Sequence, residues 1–118
     1  MDQAAKAPRE FTPLKVGYTA LDDRGITDDT TRRYGYGVAK LTRNGVSSVV
    51  QVAPYFRSGV LVAQHVRFVP KDFCWNGSPQ RVELFGQHLW PDNGARVVIT
   101  EGEIDCLSAA QAFSLRWP

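Results

Sequence analysis

Tyr36-Gly37-Val38-Ala39-Lys40-Leu41-Thr42-Arg43-Asn44-Gly45-Val46-Ser47-Ser48-Val49-Val50-Gln51-Val52-Ala53-Pro54-Tyr55 is the stretch that decides the fold. Two runs rich in β-branched and apolar residues flank Arg43-Asn44-Gly45. Asn-Gly marks a hairpin because both residues tolerate the positive φ that a tight turn demands. Strands are therefore expected over Tyr36 to Leu41 and Val46 to Tyr55. Arg57-Ser58-Gly59 reads as a second turn and Val60 to Val69 as a third strand. Strands that follow one another through short turns lie side by side, so the reading is an antiparallel meander. Its arginines fall near turns and strand ends, which makes a groove along the sheet basic.

Upstream, Thr27 suits a helix N-cap and Asp28 and Asp29 suit a first helical turn. A short helix is expected from about Asp28 to Tyr34, with Gly35 as its stop. Downstream, Pro70 to Gln80 reads as a loop carrying Lys71, Phe73, Trp75 and Gly77. Aromatics beside cations can stack on bases, or they can close the edge of a small core. Leu84 to Trp90 reads as a short helix or turn packed on the meander. Pro91-Asp92-Asn93-Gly94 is a loop.

Val97-Val98-Ile99-Thr100-Glu101-Gly102-Glu103-Ile104-Asp105 follows. Three β-branched residues in a row suit a strand buried on both faces. Gly102 allows the turn, and a helix is expected to run through Leu107, Ala109, Ala110 and Phe113. Glu101 then stands at a strand's carboxy end, the edge where open α/β sheets bind ligands. A carboxylate there can hold Mg²⁺, a hard cation that prefers oxygen, or accept a proton. Glu103 is read as a helix stabiliser, since negative charge in a first turn suits the dipole.

The chain has 118 residues, enough for one domain with a modest core, and 43% of them are hydrophobic. No apolar run is long enough to span a membrane, and the amino terminus lacks the apolar core of a signal peptide. A cytoplasmic location is expected. Cys74 and Cys106 are too few for a zinc ribbon, so no zinc is expected. His65 and His88 lack metal-ligand spacing. The net charge is +2, but residues 31–82 hold eight basic residues and one acid. Arginine dominates that segment, which favours phosphate recognition through its fork of donors. There is no Walker A string, and Gly35-Tyr36-Gly37 lacks the third glycine of a dinucleotide site.

Three stretches in order carry a family resemblance. Tyr18 to Ile26 with Tyr34-Gly35-Tyr36 resembles the start of the RNA-polymerase domain of bifunctional primase–helicases from short-tailed phages. Leu84 to Trp90 resembles the lead into that family's TOPRIM domain. Val97 to Asp105 resembles the first TOPRIM motif. Residues 1–12, polar and proline-bearing, read as a flexible lead, and the resemblance implies an amino-terminal subdomain of the primase core (13–93) and the start of a TOPRIM domain (94–118). The implied fold class is α+β: a small antiparallel meander with short helices, then the first β-strand and α-helix of a TOPRIM-like α/β domain.

The resemblance also implies a function: short RNA primers made from ribonucleoside triphosphates on a single-stranded DNA template, with Mg²⁺ as cofactor. It places Glu101 at the polymerisation site as catalytic and metal-facing acid, with Gly102 and Asp105 supporting the motif. Arg24, Arg67 and Lys71 fall in positions that contact nucleotide or nucleic acid. The family's later Asp-x-Asp strand, its zinc-binding domain and its helicase motor have no counterpart in these 118 residues. The chain is thus expected to be an incomplete part of a primase, with a TOPRIM remainder and a helicase portion as its partners, and inactive alone. Two other readings stand beside this one: a non-catalytic single-stranded nucleic-acid-binding module, and a fragment of another TOPRIM protein.

Overall fold

The computed structural model describes residues 11–116. Most of the lead expected over residues 1–12 lies outside the described residues. The framework is a four-stranded antiparallel sheet in the order β1-β2-β3-β4, with β1 Gly37–Arg43, β2 Val46–Arg57, β3 Val60–Phe68 and β4 Asp72–Gly77. Both expected turns form, and Asn44, Gly45, Ser58 and Gly59 all take positive φ. The meander has one strand more than expected. Asp72–Gly77, read as a loop, pairs along β3 from Phe68↔Asp72 to Ala63↔Gly77.

Two helices complete the α+β architecture: α1 (Asp28–Tyr34) and α2 (Glu103–Arg116). Thr27 caps α1 by accepting from the Thr30 amide, and Gly35 ends it in the left-handed conformation at φ 70°. Gln111 of α2 clamps the two helices together. Its Oε1 accepts from the Thr27 amide at 2.8 Å, and its Nε2 donates to the Gly25 carbonyl at 2.8 Å. One core, built from Leu21, Ile26, Tyr34, Tyr36, Ala53 and Leu107, lies between the helices and one sheet face. The other face carries Ala39, Val50, Val52, Val66 and Phe68, covered by Leu14 and Val16. Gln64 fixes that cover by accepting from the Leu14 amide at 2.8 Å.

The 3-10 turn Gln87–Leu89 seats Leu84 to Trp90 on the first core, as expected. Gly86 precedes it at φ 81°, and a Cβ there would meet the Tyr34 ring at 2.5 Å. Only a glycine lets this backbone come so close. The approach brings Phe85 among Tyr34, Tyr36 and Tyr55, at centroid distances of 5.7, 6.3 and 5.8 Å.

The strand expected at Val97 to Ile99 does not form. These residues pair with no strand among the described residues and are 80, 57 and 70% exposed. A strand needs a neighbour to take its amides and carbonyls, and no strand among the described residues lies beside these three. The α2 that follows does form, and buries Leu107 completely in the first core.

Tyr36 ties this core to the sheet. Its hydroxyl donates to Gln51 Oε1 at 2.6 Å, and burial raises its pKa from 10.0 to about 12. An unfolded tyrosine releases its proton near pH 10, while the folded one holds it to about 12. The stability gained is therefore full below pH 10 and lost as pH rises to 12. Tyr36→Phe is expected to cost about 1 kcal/mol at neutral pH from the lost hydrogen bond. It should also make the alkaline fall in stability shallower, as read from urea midpoints taken across that window.

Candidate nucleic-acid interface

The sheet face under α2 carries the candidate site. Side chains alternate along a strand, so Gln51 of β2, Arg67 and His65 of β3, and Phe73 and Trp75 of β4 share one face through the pairs Gln51↔Arg67, Arg67↔Phe73 and His65↔Trp75. At its β1-distal corner the rings form a connected surface. His65 stacks on Phe73 at 5.0 Å with 7° between the planes, and Trp75 lies 4.6 Å from His65 and 5.0 Å from Tyr55. Phe73 and Trp75 are still about 40% exposed. Arg67 and Lys71 lie 5.9 and 6.0 Å from the Phe73 centroid, so two cations flank one half-open ring.

Beside this surface a cleft of about 150 Å³ is lined by Leu21, Asp23, Arg24, Gln51, Arg67 and Val69, with Ile104 of α2. Arg24 arrives on the 3-10 turn Asp22–Arg24, closed by Gly25 at φ 68°. Arg67 arrives from β3, 43 positions later in sequence, so the fold rather than the local sequence brings the pair together. Tyr36 holds the carbonyl of the Gln51 amide, which leaves the NH₂ end as a third donor for the cleft. Lys71 joins the site through the Phe73 ring rather than through the cleft lining. Asp72, next to it, is engaged by Arg43 at 2.8 Å, and this contact lowers its pKa. The pair takes the nearest acid of β4 out of competition with a polyanion.

The three carboxylates at the start of α2 have different surroundings. Glu103 is tied down: the Tyr55 hydroxyl donates to Oε2, and His65 Nδ1 lies 2.9 Å from the same oxygen. Burial pushes the Tyr55 pKa up, and the Glu103 hydrogen bond adds to the shift. Glu103 is thus a tether between α2 and the sheet, more than the dipole stabiliser expected from its position. Its partners lie 48 and 38 residues away, and no local pattern announces them. Glu101 is exposed, one turn before the cleft-lining Ile104. Asp105 Oδ2 folds back over Gly102, 3.8 Å from where a Cβ would stand.

Among the described residues no group of three His, Cys, Asp or Glu side chains comes together as a metal centre. Mg²⁺ is often held by one or two carboxylates completed by phosphates and water. Glu101 can be one such ligand, but the described residues do not complete a set around it.

Fold and face together define the class: a small α+β module whose sheet presents arginines, lysine and half-exposed rings around a polar cleft in which Arg24, Gln51 and Arg67 outnumber the single carboxylate of Asp23. The chain belongs to the family described as bacteriophage T7 DNA helicase/primase, N-terminal α+β fold, whose model matches residues 17–77. It is 37% identical over 102 residues to the DNA helicase/primase of Enterobacteria phage T3, covering 86% of this chain and 17% of that protein. Among solved structures it is similar to the primase fragment of the bacteriophage T7 primase-helicase, at TM-score 0.74 and 40% identity, over 89% of this chain and 42% of that one. It is also similar, at TM-score 0.75 and 39% identity, to a chain of an assembly in which bacteriophage T7 lagging-strand DNA polymerase interacts with primase domains of two gp4 subunits bound to an RNA/DNA hybrid and dTTP. That match covers 89% of this chain and 52% of the other. The chain spans less than a fifth of the length of the phage T3 relative. Among the described residues no helix is long and apolar enough to cross a membrane.

Proposed function

We propose that this chain is the nucleic-acid-gripping front of a phage primase core. In this role it helps a primase–helicase lay short RNA primers on single-stranded DNA in the host cytoplasm. The observation that carries the reading is the convergence of Arg24 and Arg67 on one cleft beside the half-open Phe73 ring. Guanidinium forks bind phosphate by paired hydrogen bonds, and an exposed ring flanked by cations offers a base a face to stack on. Lys71 adds a third charge to the same surface. The likeness to primase domains bound to an RNA/DNA hybrid supports this assignment.

Glu101, three residues before the cleft-lining Ile104, is the proposed catalytic acid. Together with nucleotide phosphates it would hold Mg²⁺, which in phosphoryl transfer neutralises developing charge. Gly102 and Asp105 shape the turn that carries it. The chain's own residues do the rest of the work proposed here. Arg24, Gln51 and Arg67 hold phosphate oxygens, Phe73 and Trp75 stack bases, and Glu103 fixes α2 against the face through Tyr55 and His65. A second reading, a module that binds single strands without catalysis, rests on the half-exposed Phe73 and Trp75 rings with Arg67 and Lys71 beside them.

Both readings require binding, so binding is the first test. Fluorescence anisotropy of the 118-residue chain with labelled single-stranded DNA should show affinity falling as salt rises. Three phosphate contacts from Arg24, Arg67 and Lys71 contribute about −2 to the log–log slope. Phe73→Ala should cost about 1–3 kcal/mol of binding with the slope unchanged, because stacking is lost while the charges stay. Salt-independent binding, or none at low salt, contradicts the assignment.

A further inference from the structure

A second cationic cleft lies at the other end of the sheet, and it deepens the proposed function by lengthening the path of the bound strand. Arg57, the last residue of β2, lines it with Val62, Ser78, Gln80 and Arg81 over a volume of about 250 Å³. Its polar lining is two guanidiniums, a hydroxyl and a carboxamide, with no carboxylate. Among the described residues neither arginine has an ion-pair partner within 4 Å. The nearest acid in sequence, Glu83, is turned to the β2–β3 turn, where it accepts from the Ser58 amide at 3.1 Å. The Glu83 amide in turn donates to the Phe56 carbonyl at 2.9 Å, which anchors the loop carrying Arg81 to the end of β2.

The backbone reinforces this placement. Arg81 sits at φ 63°, a conformation that a long side chain occupies only at a cost. Gathering two unpaired guanidiniums in one cleft adds a further cost by like-charge repulsion. An anion removes the second cost, and a phosphate suits the site because each guanidinium can offer it paired donors while Ser78 and Gln80 donate beside them.

We infer that the Arg57–Arg81 cleft is a second phosphate-binding site of this chain. Arg57 stands six residues along β2 from Gln51, the β2 residue that lines the first cleft, so the two clefts are about 20 Å apart along the strands. A single strand running along the sheet for that distance would be held in both clefts. A free phosphate or nucleotide offers the same chemistry, and the test separates the two sources.

The test uses the whole 118-residue chain and follows the arginine side-chain NMR signals. Titration with inorganic phosphate should shift Arg57 and Arg81, and single-stranded DNA should shift them too if the strand spans both clefts. Shifts with phosphate but not with DNA would assign the cleft to a free phosphate or nucleotide and still support an anion site. No shift with either probe overturns the inference. In the anisotropy assay Arg57→Gln with Arg81→Gln should make the salt slope shallower by about 1.4, the share of two single-strand phosphates. An unchanged slope refutes the spanning path. Arg81→Gly is the safeguard on folding, since glycine accepts this φ without strain while the guanidinium is lost with its side chain. If wild-type chain binds no DNA at all, the proposed function fails, while the phosphate titration still decides this site.

Discussion

Glu101→Gln is expected to reduce primer synthesis by about 10²–10⁴-fold, the range that loss of a positioned acid or base commands. The assay requires a longer polypeptide in which this chain is joined to a TOPRIM remainder with its acidic strand, with Mg²⁺, template and ribonucleoside triphosphates present. Glu101 is exposed and makes no hydrogen bond or ion pair among the described residues. Its replacement should therefore leave the urea midpoint where it was, so a loss of synthesis could not be blamed on unfolding. Single-stranded DNA affinity should also be nearly unchanged, because the gripping residues are Arg24, Arg67, Lys71 and Phe73. Full synthesis by the glutamine variant would remove Glu101 from the site.

The second large effect concerns the fold that carries the site. Leu107 is completely buried where α2 meets Leu21, Ile26, Tyr34, Tyr36 and Ala53. Leu107→Ala should destabilise the chain by about 2–5 kcal/mol, from lost transfer energy and the cavity left behind. That is a large fraction of the total for a domain of this size. The consequence reaches the interface, since α2 supplies Ile104 to the first cleft and Glu103 to Tyr55 and His65. Chemical denaturation measures the loss directly. A change below about 0.5 kcal/mol would mean that α2 is not part of the cooperative core.

What the sequence disclosed follows from the range of the interactions involved. The meander was legible because hairpins are local: Asn44-Gly45 and Ser58-Gly59 specify their turns within a few residues. Helix α1 was legible for the same reason, with its cap at Thr27 and its stop at Gly35. Strand β4 was not, because Asp72, Asn76 and Gly77 have poor strand propensity and Pro70 stands just before them. Pairing with β3 overrides that weakness, and the alternation of Phe73 and Trp75 was the signal that could have revealed it. Val97 to Ile99 failed in the opposite sense. Their propensity is high, but a strand is a property of a pair, and no partner lies beside them among the described residues.

The site divides in the same way. Charge counting placed a basic surface in the middle of the chain, and the family resemblance pointed to Arg24, Arg67 and Lys71. Only the fold shows that Arg24 and Arg67 share a cleft while Lys71 flanks the neighbouring ring. Gln51 was invisible as a site residue, because its role depends on Tyr36 holding its carbonyl. The tether formed by Glu103 was hidden likewise behind a first-turn glutamate that had a sufficient local explanation.

Photocrosslinking of the wild-type chain to single-stranded DNA carrying 5-iododeoxyuridine, followed by tryptic mapping, tests the central claim most directly. Cleavage after Lys71 and Arg81 isolates Asp72 to Arg81, the peptide that holds both half-exposed rings of the proposed face. The account predicts that the crosslinks concentrate there, at Phe73 and Trp75. Crosslinks confined to the peptide ending at Lys15, whose Leu14 covers the opposite face of the sheet, would contradict it.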